Sequence, residues 1–290
     1  MLGLQAYFAF KCQRGGWRGY CGGRLHARRA CDKVAAVPDT GTTAERTVVT
    51  LSRRTLLCCL AAPWAAGVSM KVLAQKEAAL YTRTRRSADG IGKAYRGREI
   101  AGVMGWQGAA WLERDEREKE ERGDLLLREL GLGQGMVVAD VGAGTGYYAR
   151  RMAPLVGSSG TVYAVDVQPE MIQMLGDLAK KANLSNITPV LSSVDNVKLP
   201  DASIDLAIMV DVYHELEFPF EVMESVVRAL KPGGRVVYVE YRAEDPTVPI
   251  KALHKMSEAQ VRKEAAAHAL VYERTANTLP WQHMVVFRKK

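Results

Sequence analysis

The sequence predicts a doubly wound α/β sheet across its C-terminal half, and three observations carry that prediction. After Gly135, short apolar runs alternate with amphipathic stretches, the pattern of a strand–helix succession. The early apolar runs are continuous in Val, Ile and Ala rather than alternating with polar residues, which suits a parallel sheet covered on both faces. One of them, Val137–Val141, runs into the turn Gly142-Ala143-Gly144-Thr145-Gly146 ahead of an amphipathic stretch, a strand–turn–helix passage that starts a βαβ unit.

Residues 1–45 are rich in Arg and Gly, poor in acids and aperiodic, the composition of a transit peptide rather than of a packed domain. Residues 46–74 resemble a twin-arginine export signal: Ser52-Arg53-Arg54-Thr55-Leu56-Leu57 precedes the apolar run Cys58–Val68, with small residues for cleavage up to Ala74. That run is shorter than the roughly 20 residues a membrane-crossing helix needs and contains Pro63, so no permanent anchor is expected after cleavage. Together the two segments predict a chloroplast protein of the thylakoid lumen, with stroma or mitochondrion as the alternative.

The formal charge of +8 belongs to this leader. Of the 40 Lys and Arg and the 32 Asp and Glu in the 290-residue chain, eleven and three respectively precede Gln75, so the two signs balance from there on. Binding of nucleic acid through a bulk basic surface is therefore not expected. All five cysteines lie before residue 60, in no metal or redox spacing, which leaves a mature region suited to an oxidising compartment.

Residues 75–130 are read as a helical extension. Thr82–Gly105 is polar and glycine-spotted and predicts no element, whereas 106–130 reads as helix. Its run Glu113–Arg122 is ten consecutive charges, with Glu113/Arg117, Asp115/Lys119 and Glu118/Arg122 as acid-before-base pairs at i,i+4, and it is expected to be a solvated face. Residues 131–290 form the main domain. Strands are predicted at Met136–Val141, Thr161–Val167, Ile187–Leu191, Ile204–Val210, Arg235–Tyr241, Leu270–Arg274 and Met284–Phe287. Helices are predicted near 146–156, 169–182, 220–230 and 257–267, the last with Ser257 as N-cap.

The glycine turn and the acid Asp166, at the end of the second strand, point to an adenosine-bearing cofactor. Amides at a helix start favour an anionic group, and an acid about twenty residues on accepts ribose hydroxyls. The glycines Gly142, Gly144 and Gly146 are spaced G-x-G-x-G, unlike the G-x-G-x-x-G of dinucleotide binders. Asp140, two residues ahead of them, would repel a pyrophosphate but suits the ammonium and sulfonium charges of S-adenosylmethionine. A nicotinamide oxidoreductase is disfavoured on both counts.

On these residues the chain resembles the class I S-adenosylmethionine-dependent methyltransferases. Gly97–Ala101, Ala110–Arg114, Val210–Glu215, Val239–Arg242 and Leu279–His283 are similar to a bacterial-type, often leader-bearing group within them. The resemblance implies a Rossmann-like sheet of seven strands with the last antiparallel. It also implies that Asp140, Gly142 and Gly144 hold the methionine portion, that Val167 and Gln168 line the adenine, and that Asp195 and Asn196 read the adenine edge. Leu230–Arg235 is a structural turn of the family.

Ligands of open α/β sheets sit beyond the strand C-termini, which singles out Asp211–Glu215 after the fourth strand. Asp211 is placed with the cofactor set. His214 is read as base or substrate contact, with Tyr213 and Glu215 in support. Glu240, Tyr241 and Arg242 are candidates for the acceptor pocket. No metal-ligand spacing stands out, and no metal is expected. The function that follows is methyl transfer to a small-molecule acceptor by direct displacement. The alternative is a catalytically silent cofactor-binding regulatory or assembly protein, because an exported compartment has no obvious supply of the methyl donor.

Overall fold

The computed structural model describes residues 80–290; the leader segments 1–45 and 46–74 lie outside the described residues. The first described elements correct the expectation for Thr82–Gly105. Strands β1 (Tyr81–Arg83), β2 (Gly90–Tyr95) and β3 (Arg98–Ala101) form an antiparallel sheet in the order β1-β2-β3. The turn between β2 and β3 places Arg96 and Gly97 at φ of 48° and 89°, the left-handed pair that a two-residue hairpin requires. The strands are too short for a hydrophobic period to register, and their apolar anchors, Tyr81, Tyr95 and Ile100, are buried against Phe218 and Phe220.

The extension continues with a 3-10 turn at Trp106–Gly108 and helices α1 (Ala109–Leu112), α2 (Arg117–Glu121) and α3 (Gly123–Leu130). It is helical, but in pieces: Arg122 sits at φ 52°, which ends α2 and turns the chain into α3.

The main domain follows the sequence closely. In chain order it comprises β4 (Val137–Val141), α4 (Tyr147–Val156), β5 (Thr161–Asp166), α5 (Pro169–Lys181), β6 (Ile187–Leu191), β7 (Ile204–Val210), α6 (Pro219–Ala229), β8 (Leu230–Tyr241), α7 (Glu258–Ala265), β9 (Leu270–Ala276) and β10 (Gln282–Lys289). Prolines at the first positions of α5 and α6 fix φ where no intrahelical donor is needed. Ser257 caps α7, its hydroxyl accepting from Gln260 N at 3.1 Å.

Seven strands pair in the order β6-β5-β4-β7-β8-β10-β9. The pairs from β6 to β8 are parallel, and β10 is antiparallel to both β8 and β9. Successive strand residues face opposite sides, so Val138 joins the core beneath α3, α4 and α5, while Ala139 joins the one beneath α6 and α7. The strand order reverses at β4 and β7, whose C-terminal ends open the crevice in which such sheets bind ligands. Among the described residues no helix is long and apolar enough to cross a membrane.

Candidate functional site

The crevice is built first by the turn after β4. Gly142 and Gly144 sit at φ of 75° and 54°, a region L side chains avoid, and space forbids a side chain as well. A Cβ on Gly142 would lie 2.3 Å from Val212 Cγ2, and one on Gly144 would lie 2.5 Å from Leu112 Cδ1. Gly146 is the N-cap of α4. Asp166 closes the turn from the side: one carboxylate oxygen accepts from Gly144 N and the other from Gln168 N, both at 2.9 Å.

Three carboxylates end three adjacent strands with too little positive charge around them. Asp140 is buried, its Oδ2 has no partner, and burial pushes the group up to about 7 against the Ala149 amide and Arg117. Burial likewise raises Asp166, opposed by the amides of Gln168 and Gly144. Asp211, at φ 51°, is raised well above the ordinary range by burial and by the nearby Glu121 and Glu240. Its Oδ2 accepts from Gln282 Nε2 at 3.1 Å, and its Oδ1 has no partner. A cationic ligand would relieve Asp140 and Asp211, and hydroxyl donors would serve Asp166; the ammonium, sulfonium and ribose of an adenosyl sulfonium meet both requirements. The residues present therefore fit S-adenosylmethionine.

Val167 is exposed beside Asp166, and Gln168 reaches away from the sheet, accepting from Trp106 N at 2.7 Å and donating to Met104 O at 3.1 Å. Asp195 and Asn196 belong to the tight turn after β6. Ser193 Oγ donates to Asp195 Oδ1, Asn196 Oδ1 accepts from Lys198 N, and Ser192 N donates to Asp166 O at 2.9 Å, which brings this turn beside Asp166.

The residues expected on the acceptor side, Tyr213, His214 and Glu215, fall on a single 3-10 turn, Tyr213–Glu215. Tyr213 is turned into the core, edge-on to Tyr238 at 4.9 Å between ring centroids, and this removes it from the supporting role expected of it. His214 and Glu215 are brought together with two residues the sequence leaves apart. His214 Nδ1 lies 2.6 Å from Glu240 Oε2 and Nε2 lies 3.2 Å from His254 Nδ1. Burial opposes charge on His214, but Glu240 and then Glu215 outweigh it and lift the imidazole to about 10. Arg242 serves structure: it donates to the carbonyls of Leu279, Pro280 and Gln282.

Sequence reasoning misses the cover of the site. Met104 N donates to Glu215 Oε2 at 3.1 Å, and Thr145 Oγ1 donates to Glu113. Arg117, buried over the Tyr147 ring at 4.1 Å, donates to Glu121 Oε2 at 2.8 Å. Glu121 also accepts from Arg114 at 2.7 Å and from the Tyr241 hydroxyl at 3.0 Å. Burial opposes ionisation of Glu121, but Arg117 and Arg114 hold it charged, below the usual carboxylate range. The charge run is thus solvated only in part, and its buried ion pair, Arg117 with Glu121, is base before acid rather than one of the three expected pairs. The signal available in the sequence was the 3.6-residue period, which puts Arg114, Arg117 and Glu121 on one helical face.

A glycine turn on a parallel sheet, an acid closing it and unmatched carboxylates at the strand ends define a class: an α/β protein binding a cationic adenosyl cofactor. The comparisons agree with that class. A model of the methyltransferase-domain family matches residues 132–285, more than half of the chain, and the chain belongs to that family. A crystal structure of a SAM-dependent methyltransferase from Aquifex aeolicus superposes with a TM-score of 0.62 at 26% identity, covering 65% of this chain and 100% of that one. The ubiquinone/menaquinone biosynthesis C-methyltransferase UbiE of Pseudomonas paraeruginosa is 29% identical over 123 residues, 42% of this chain and 48% of that protein. The protein-L-isoaspartate O-methyltransferase of Methanothrix thermoacetophila is 33% identical over 116 residues, 39% of this chain and 51% of that protein. The chain spans about half the length of the curated relatives it matches. Family and fold give S-adenosylmethionine as the cofactor.

Proposed function

We propose that this protein transfers the methyl group of S-adenosylmethionine to a small-molecule acceptor by direct displacement. The observation that carries the reading is the row of under-neutralised carboxylates around the Gly142–Gly146 turn: Asp140 and Asp166, both buried, and half-buried Asp211 with a sheltered, unpartnered Oδ1. When bound, the cofactor supplies a methyl on a sulfonium, activated by its own leaving group. The chain's residues then need only bind, align and exclude water. Asp140 and the backbone at Gly142 and Gly144 take the methionine portion, and Asp166 takes the ribose hydroxyls. Val167, Gln168, Asp195 and Asn196 take the adenine side. His214 and Glu215, following Asp211 at the end of β7, belong to the acceptor side. The segment Met104–Glu121, tied to Glu215, Gln168, Thr145 and Tyr241, is the barrier to water. The quinone-biosynthesis C-methyltransferase among the relatives makes quinols and phenols the first acceptors to screen. We further propose the thylakoid lumen of the chloroplast as the site of action, from the leader composition and its twin-arginine-type segment, with the stroma or mitochondrion as the alternative.

The test is transfer of label from methyl-labelled S-adenosylmethionine to a panel of quinols, phenols and small acids. Label in a small-molecule product that the Asp166→Ala variant fails to form supports the reading. A protein that binds the donor yet labels no acceptor across the panel moves the weight to a silent cofactor-binding role.

A further inference from the structure

Beside the proposed methyl-donor site, three donor atoms of metal-binding type converge: His214 Nε2, His254 Nδ1 and Glu215 Oε1. The two nitrogens are 3.2 Å apart. His254 Nδ1 lies 3.1 Å from the carboxylate oxygen, and His214 Nε2 lies 3.7 Å from it. A dication held tetrahedrally at about 2.0–2.1 Å by each ligand sets its ligands roughly 3.3 Å apart. The observed triangle has that size.

Protons do not satisfy this triangle. An imidazole nitrogen either carries a proton and donates or bares a lone pair and accepts. If His254 Nδ1 accepts from His214, its lone pair faces the Glu215 carboxylate at 3.1 Å. If it donates to Glu215, its N–H edge faces His214 Nε2, and a proton on both nitrogens sets two donors against each other. Protons serve at most two of the three edges at once: even with His254 Nδ1–H facing both Glu215 Oε1 and a bare His214 Nε2, those two acceptors are left facing each other at 3.7 Å, whereas a single dication between the three atoms engages all of them.

The surroundings are those of a built site. His214 is held from behind by Glu240, which is fully buried and reaches Nδ1 at 2.6 Å. A carboxylate on the far nitrogen is the outer-shell partner that orients a ligating imidazole. Arg98, paired with Glu264, donates to His214 O at 3.0 Å and pins the turn. Met104 N engages Glu215 Oε2 at 3.1 Å, leaving Oε1 for the triangle. His254 comes from the 3-10 turn Ala252–His254 and is 22% exposed, so the cluster is most open on that side.

We propose that His214, Glu215 and His254 form a binding site for a transition-metal dication of the Zn²⁺ type, with Glu240 orienting His214. Two imidazoles and one carboxylate suit zinc, cobalt or ferrous iron and not the all-oxygen preference of magnesium or calcium. The remaining coordination position is left to a solvent or acceptor oxygen; that assignment rests on the methyl-transfer reading, and the site itself does not. The sequence gives no sign of the site because His254 lies forty residues beyond His214 with no local spacing to betray it.

The experiment uses the full chain, stripped with chelator and with its cysteines alkylated, and titrates it with Zn²⁺, Co²⁺ and, for comparison, Mg²⁺. The expected result is one equivalent of Zn²⁺ bound at submicromolar Kd, visible d–d bands with Co²⁺, and no uptake of Mg²⁺. His254→Ala, on a partly exposed turn, lowers Zn²⁺ affinity about 100-fold or more with an unchanged near-UV spectrum. Glu240→Gln, removing a positioning residue, lowers it about 10–100-fold. Absence of stoichiometric Zn²⁺ uptake by the folded wild type overturns the proposal, and so does equal uptake by His254→Ala. The wild-type cobalt spectrum is read independently of any variant. S-adenosylhomocysteine titrated into the same samples keeps the readings apart: ligand without metal rejects the metal site alone, and metal without ligand rejects the methyl-donor site alone.

Discussion

At the end of β4 the carboxyl group of Asp140 is buried with one oxygen unpartnered and is lifted to about 7. Its folded value stands above its unfolded one, so the native state holds a proton that the unfolded chain has released. Between about pH 4 and pH 7 the ligand-free protein therefore loses stability as pH rises, and the loss levels off above 7. The cationic cofactor favours the carboxylate, so binding at pH 6 releases a proton and affinity climbs towards pH 7. Calorimetry with S-adenosylmethionine at pH 6 and pH 8, in buffers of different ionisation enthalpy, checks this. Asp140→Asn is expected to reduce the proton release that the wild type shows at pH 6, leaving only what Asp166 and Asp211 contribute. Gly144 makes a second argument at this scale, because its φ of 54° and the nearness of Leu112 both exclude a side chain. Gly144→Ala is expected to cost about 1–3 kcal/mol. In a denaturant double-mutant cycle, Leu112→Ala should recover part of that loss; additivity would show that the contact does not matter.

Among the elements, those of the seven-stranded sheet were legible because each announces itself. Continuous apolar runs mark β4, β5 and β7, prolines open α5 and α6, and Ser257 caps α7. The extension was not, for opposite reasons in its two parts. In β1–β3 the chain offers one to three apolar residues per strand, too few for a period. In Glu113–Arg122 the charges hide a face that the tertiary structure buries, where Glu121 accepts from Arg117, Arg114 and Tyr241. Removing one partner from a buried, multiply bonded pair leaves a charge uncompensated. Glu121→Ala is thus expected to cost about 3–5 kcal/mol, whereas Glu116→Ala, five residues earlier and exposed, should stay within about 0.5 kcal/mol. Equal urea midpoints for the two variants would refute a buried role for Glu121.

Across the whole molecule, the residues proposed for the methyl donor could be picked out from the sequence as a set, and those proposed for the acceptor could not. Methyl-donor binding imposes residue types at fixed offsets along one βαβ unit, so Asp140, Gly142, Gly144 and Asp166 declare themselves together. The proposed acceptor side draws on β7, β8, the Ala252–His254 turn and the Met104–Glu121 segment, whose meeting only the fold determines. Tyr213 illustrates the limit: adjacent in sequence to His214, it points into the core instead.

The measurement that tests the central claim most directly is a calorimetric titration of S-adenosylhomocysteine into the full chain and into its Asp166→Ala variant. The account predicts one site in the wild type and an affinity reduced about 10–100-fold in the variant, the size of losing one or two hydrogen bonds to a charged acceptor. A well-folded wild type that binds no S-adenosylhomocysteine, or a variant that binds it equally well, would contradict the account.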